Sequence, residues 1–149
     1  MDMNTSKELL HSIELSNLIN KIELQVNNIE IGDAHTEIGN LMAFPFKSIV
    51  DYSDLRKEAM KELYGMLYKA FCLICQISLE TNNENMLSVA SKSCSNITDI
   101  LLSTQLRLQK LPMSKPSADL YNEAIVNLQQ NNNESLISRI KNLANVLFQ

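Results

Sequence analysis

The stretch that decides the fold is Leu87-Ser-Val-Ala-Ser-Lys-Ser-Cys-Ser-Asn-Ile-Thr-Asp-Ile-Leu-Leu-Ser-Thr-Gln-Leu-Arg-Leu-Gln-Lys-Leu111. Leu87, Ala90, Cys94, Ile97, Leu101, Thr104, Leu108 and Leu111 alternate at spacings of three and four. That spacing lays one apolar stripe along a helix and suits near-antiparallel packing against a second long helix. The periodicity predicts a helix from the turn at Thr81-Asn-Asn-Glu84, with Thr81 and Glu84 as a capping pair, to about Leu111.

Upstream, a second long helix is predicted over about Asp54 to Leu79. One stripe is Ala59, Leu63, Met66, Ala70, Leu73 and Ile77, and a second is Tyr64, Tyr68, Phe71 and Cys75. From Ala70 to Ile77 nearly every direction is apolar, so this helix is the candidate centre of a bundle. Both helices are expected to be about 40 Å long.

The N-terminal fifty residues read differently. Leu15, Ile19, Ile22, Val26 and Ile29 predict a helix from about Thr5, capped by Thr5 with Glu8 and ended at Gly32-Asp33. A short helix over Thr36 to Met42 is expected next, and Pro45 breaks it. Phe44 and Phe46 beside that proline suggest a loop folded back onto the core. Beyond Leu111, Pro112 and Pro116 bracket a linker, and Ser117 is expected to cap a helix to about Gln130. Its inward residues are Leu120, Tyr121, Ala124, Ile125 and Leu128. Asn131-Asn-Asn133 turns the chain into a last helix, Glu134 to Phe148, with Leu136, Ile140, Leu143 and Leu147 on one face.

These elements add up to an all-α antiparallel bundle of about five to six helices, two of them long and central, in one domain over 1–149. The composition agrees: 149 residues are 45% hydrophobic with three Gly, three Pro and no Trp, which is poor material for the tight turns of a β-sandwich or barrel. A chain of this size buries enough surface to fold without disulfides or a metal. Its net charge of −4 argues against a nucleic-acid partner. That charge is unevenly placed: residues 1–50 hold seven acids against Lys7, Lys21 and Lys47, while 51–149 are balanced. The first residues lack the basic and apolar regions of a secretory signal, and no apolar run approaches a membrane span, so a cytoplasmic protein is expected.

Few residues suggest chemistry. Cys72-Leu-Ile-Cys75 has the spacing of a redox or zinc motif. It lies deep in a helix, in the most apolar segment, and with Cys94 supplies only three ligands, so buried reduced thiols are expected. His35 between Asp33 and Glu37 reads as a solvated or capping histidine. No Gly-rich phosphate loop and no Ser–His pair with a third group is present. The expectation is a protein with no enzymatic activity, no catalytic or metal-binding residues and no cofactor.

The remaining candidates are surfaces. Tyr64, Tyr68 and Phe71, with Leu101 and Leu108, are candidate walls of a groove for a partner's amphipathic helix, against the plainer reading of ordinary core. Glu14, Glu23 and Glu30 are the candidate acidic contacts if the partner is instead a basic toxin neutralised by an immunity protein or antitoxin. A plain capping helix competes with that reading too.

From the second long helix onward, the chain resembles the flagellin-specific export chaperones of flagellar type III secretion. The resemblance rests on Lys61-Glu-Leu-Tyr-Gly-Met-Leu-Tyr-Lys-Ala70, Glu80-Thr-Asn-Asn-Glu84, Ser91-Lys-Ser-Cys-Ser-Asn-Ile-Thr-Asp-Ile-Leu101, Leu120-Tyr121, and Leu136, Ile140 and Leu143. It covers about residues 55–148. The chain departs from that family in having Pro112-Met-Ser-Lys-Pro116 in place of a Gly-Gly turn, and a long acidic N-terminal region. The resemblance implies a cytoplasmic helical bundle that keeps an aggregation-prone export substrate unpolymerised by wrapping its helical terminus around apolar grooves; the chain itself is expected to be a monomer or homodimer.

Overall fold

The computed structural model describes the backbone of residues 3–41 and 46–149, and side chains over 7–36 and 52–149. Five helices follow in order: α1 (Met3–Leu41), α2 (Phe46–Glu80), α3 (Glu84–Ser103), α4 (Lys115–Gln130) and α5 (Glu134–Leu147). The fold is an all-α bundle. Helix α2 packs against all four others, as its apolar circumference requires. Ala70, Ile74, Cys75 and Ile77 on it are fully buried.

The N-terminal expectation needs correction. Gly32-Asp33 does not end the first helix; α1 runs through it to Leu41 and absorbs the short helix expected after it. Tertiary contact explains this. The Tyr52 ring of α2 lies directly over Gly32, so close that a Cβ there would meet Tyr52 Cε2 at 2.5 Å. The Tyr52 hydroxyl donates to the Asp33 carboxylate and also lies 3.1 Å from the Ile29 carbonyl, within hydrogen-bond reach. Here glycine is required by close approach of a neighbour, not by a turn. Arg56 completes the clasp, with Nε 2.7 Å from Asp33 Oδ1 and Nη2 3.2 Å from Oδ2. Thr5 is not the cap expected of it, since α1 already starts at Met3. Phe46, expected in a loop, opens α2, which starts well before the expected Asp54, while Phe44 lies outside the described residues.

The second correction concerns α3, which ends at Ser103, giving a helix of about 30 Å. Its N-cap is Asn83, not Thr81: the Asn83 side chain accepts from Asn85 N at 2.9 Å and Met86 N at 3.4 Å. Thr81 Oγ1 instead accepts from Asn83 N. Thr104, Leu108 and Leu111 sit on an extended strap over residues 104–114. Leu106 is buried and Leu108 half-buried, while Gln105, Arg107 and Gln109 face solvent. That is the period-2 alternation of extended chain.

At α4 the cap is Ser114 rather than Ser117. Its Oγ accepts Ser117 N at 3.3 Å, and Pro116 falls in the first turn, where a missing N–H costs nothing. The three asparagines between α4 and α5 have separate tasks. Asn131 ends α4, and Asn132 takes the left-handed conformation at φ 56°. Asn132 N bonds to Gln129 O and Asn133 N to Leu128 O, closing a Schellman motif. Asn133 then caps α5 by accepting Leu136 N.

Candidate functional site

The strap builds the candidate site. It leaves α3 where the Glu30 carboxylate of α1 takes both the Thr104 hydroxyl and the Gln105 N–H. It then crosses α2. The Tyr64 hydroxyl accepts Gln109 N–H at 2.9 Å, and one turn on, the Tyr68 hydroxyl accepts Ser114 N–H at 3.0 Å. On its other side, Leu111 N donates to Leu147 O at 2.8 Å and Gln149 N to Leu111 O at 3.2 Å, pairing strap and C-terminal segment as one parallel bridge. Pro112 favours this path, since it disfavours the helical region for Leu111.

Between strap, α2, α3 and α5 lies a cavity of about 190 Å³ walled by Tyr64, Leu67, Leu101, Leu106, Leu108, Leu111, Val146 and Leu147, with Gln109 at its rim. Three of the five candidate wall residues, Tyr64, Leu101 and Leu108, therefore meet around one space. Its lining side chains are mainly aliphatic, but with Tyr64 and Gln109 among them polar and apolar atoms share its surface about equally. It is below the roughly 300 Å³ at which small-molecule pockets begin, so it suits one or two apolar side chains. Leu67, Leu106 and Val146 belong to none of the stripes read from the sequence. The alternation Thr104-Gln-Leu-Arg-Leu-Gln109 is the signal that could have identified the strap.

The other two candidates are placed differently. Phe71 is 1% exposed and belongs to the core, edge-on to Phe148 at 4.9 Å and tilted against Tyr121 at 5.7 Å. Tyr68 is half-buried, with its ring edge-on to Phe148 at 5.5 Å. Burial would raise the Tyr68 phenol, but hydrogen bonding to Ser114 and Ser117 outweighs it and leaves the group below its ordinary value. Both tyrosines thus put the ring against the bundle and the hydroxyl on the strap.

The acidic candidates are largely engaged within the molecule. Glu14 pairs with Lys69 of α2 at 2.7 Å, and that hydrogen bond lowers its pKa. Glu30 holds the start of the strap, and Glu23 is exposed. With Asp33 on Arg56, the acid-rich first helix finds part of its counter-charge on α2. His35 is exposed. His11 Nδ1 lies 3.2 Å from Glu80 Oε2 without the alignment of a hydrogen bond, so this is a charge contact only when the ring is protonated.

The cysteines are free thiols. Cys75 and Cys94 are buried, and burial pushes the Cys75 thiol far up and the Cys94 thiol up to about 12. Such groups are poor nucleophiles at neutral pH. Cys72 is half-buried, with Sγ 3.7 Å from Ser117 Oγ. Among the described residues no three His, Cys, Asp or Glu side chains converge on a point that could hold a metal, and no helix is long and apolar enough to cross a membrane. Compared with protein-family models, curated proteins and solved structures, the chain finds no match.

Proposed function

We propose that this protein is a non-enzymatic chaperone or adaptor that binds an amphipathic helical segment of a protein partner. The cavity at Tyr64, Leu101 and Leu108 takes the segment's apolar side chains. The observation that carries this reading is the cavity's make-up: a space of side-chain size lined mainly by leucine and valine side chains, with polar atoms, Tyr64 and Gln109 among their carriers, making up about half of its surface. A helix-in-groove contact anchors through a few apolar residues spaced three and four apart, and such a socket fits one anchor. The likeness of residues 55–148 to flagellin export chaperones supports a flagellar or type III export substrate as the partner and the cytoplasm as the place of action.

Calorimetric titration of the full chain with the terminal helical segment of a flagellin tests this. Leu108 is half-buried on the strap, so Leu108→Asp introduces a charge at the cavity without removing a core residue. The expected result is binding by the parent chain and a loss of tenfold or more in the variant, with unchanged helicity. Equal binding by both proteins, or none by the parent chain, overturns the reading.

A further inference from the structure

Helix α1 has two apolar faces, and the bundle covers only one. Leu15, Ile19, Ile22, Val26 and Ile29 are buried against the other helices. Leu10, Ile13, Leu24 and Ile31 are 64%, 49%, 60% and 56% exposed. At 100° per residue these four centre on the side opposite Ile22. Isolated exposed leucines are ordinary, but these share one register. With the exposed Asn17, Asn20 and Asn27 they form the series 10, 13, 17, 20, 24, 27, 31, a strict alternation of three and four. No position in the series carries a charge.

We infer that this outer seam of α1 is a two-helix interface with a second copy of the same chain, running antiparallel. A seam with heptad spacing is complementary to a helix of the same kind, and asparagines within it fix register at some expense of affinity. The flanking charges choose the arrangement. Setting Asn17 opposite Asn20 of the second copy brings Ile13 opposite Leu24 and Glu14 opposite Lys21, each twice by symmetry. Sliding one heptad in one direction sets Lys21 against Lys21 and Glu23 against Glu23; sliding in the other sets Glu14 against Glu14. A parallel pair in register sets Ser16 against Lys21 and Glu23 against Asn28. Only the first antiparallel register pairs Glu14 with Lys21. Lys69 already holds Glu14 at 2.7 Å, and with 45% of its side chain exposed Glu14 has room for a second cation. The seam lies on the far side of α1 from its packing against the bundle, so this association is independent of the strap cavity.

Sedimentation velocity of the full chain from about micromolar to millimolar concentration reads the association. A concentration-dependent dimer is expected. Leu24→Glu should abolish it, and Lys21→Glu should weaken it at least tenfold, with Glu14→Lys on the Lys21→Glu background restoring it. Helicity should be unchanged throughout, since these side chains are exposed. In a Cys72→Ser background, Asn17→Cys mixed with Asn20→Cys should give a mixed disulfide in excess of either self-linked product. A monomer at every concentration overturns the proposal, as does a dimer indifferent to Leu24→Glu. Self-linked Asn17→Cys as the main product overturns the antiparallel register. Loss of helical-peptide binding in Leu24→Glu with no dimer at any concentration assigns the seam to that partner instead.

Discussion

The Tyr64 hydroxyl accepts the backbone N–H of Gln109 at 2.9 Å, joining the central helix to the strap 45 residues away in sequence. Tyr68 repeats the arrangement one turn later with Ser114. The aromatic stripe on α2 therefore serves as core through its rings and as a fastening for the strap through its hydroxyls. Removing the hydroxyl alone should affect the strap while sparing the bundle. Tyr64→Phe is expected to cost about 0.5–1.5 kcal/mol, the net worth of one hydrogen bond. Hydrogen exchange should show faster exchange at Gln109 with little change at Leu67 or Ile97. Tyr68→Phe should do the same at Ser114. A uniform rise in exchange would show that strap and bundle open together.

The two described glycines respond to a methyl group in opposite directions. At Gly32 an added Cβ meets the Tyr52 ring at 2.5 Å. Gly32→Ala must push Tyr52 away from the Asp33 carboxylate and the Ile29 carbonyl, and is expected to destabilise by about 1–3 kcal/mol. Gly65 has nothing within 4 Å of its would-be Cβ and sits mid-helix. Gly65→Ala should stabilise by about 0.5–1 kcal/mol through helix propensity. Urea midpoints of the two variants check the signs. Adding Tyr52→Ala to Gly32→Ala should cost less than the sum of the single changes, because they share one contact.

The Asp33 clasp makes stability depend on pH in acid. Burial raises the Asp33 pKa, but hydrogen bonds from Arg56 and Tyr52 outweigh it, so the folded-state value lies below the ordinary 3.8. A depressed carboxylate contributes stability that is full above the unfolded-state value and is lost as pH falls through the folded-state value. The stability difference between the parent chain and Asp33→Asn should therefore be constant near neutrality and shrink below about pH 4. A difference that persists unchanged to pH 2 would contradict this role for the carboxylate.

At high pH Tyr68 and Tyr52 should titrate in separate steps. Burial, then the Asp33 contact, raises Tyr52 to about 12, whereas Tyr68 lies below its ordinary value. The Tyr52 contribution to stability is full below the unfolded-state pKa near 10 and is lost as pH rises through about 12. Tyr68 has the opposite sign, favouring the fold above the unfolded-state value. Absorbance at the tyrosinate band should lose amplitude below the ordinary phenol range in Tyr68→Phe and near pH 12 in Tyr52→Phe.

Thiol labelling separates the cysteines. Cys72 is half-buried, while Cys75 and Cys94 are fully buried. One equivalent should react slowly in the native protein at neutral pH. The other two should react only at the rate of unfolding, and Cys72→Ser should remove the native-state step. Native reaction at two sites would place a second thiol in reach of solvent.

The sequence by itself determined the helical class, the central place of α2, the buried faces of α4 and α5, and the burial of Cys75 and Cys94. All follow from local periodicity, because apolar residues at helical spacing have one way to leave water together. It also brought Tyr64, Leu101 and Leu108 to notice, though as walls of a groove between two long helices.

Only the tertiary structure decided where helices end and what lines the cavity. Thr104, Leu108 and Leu111 satisfy the heptad of α3, while Thr104, Leu106 and Leu108 equally satisfy the alternation of extended chain. The choice fell to partners remote in sequence: Glu30 for Thr104 and Gln105, Tyr64 for Gln109, and Leu147 for Leu111. Gly32 likewise suits a helix end by its local sequence, but its missing side chain makes room for the Tyr52 ring and α1 continues through it. Local pattern sets which faces are buried. Where two local patterns fit the same residues, hydrogen bonds across the fold settle which one forms.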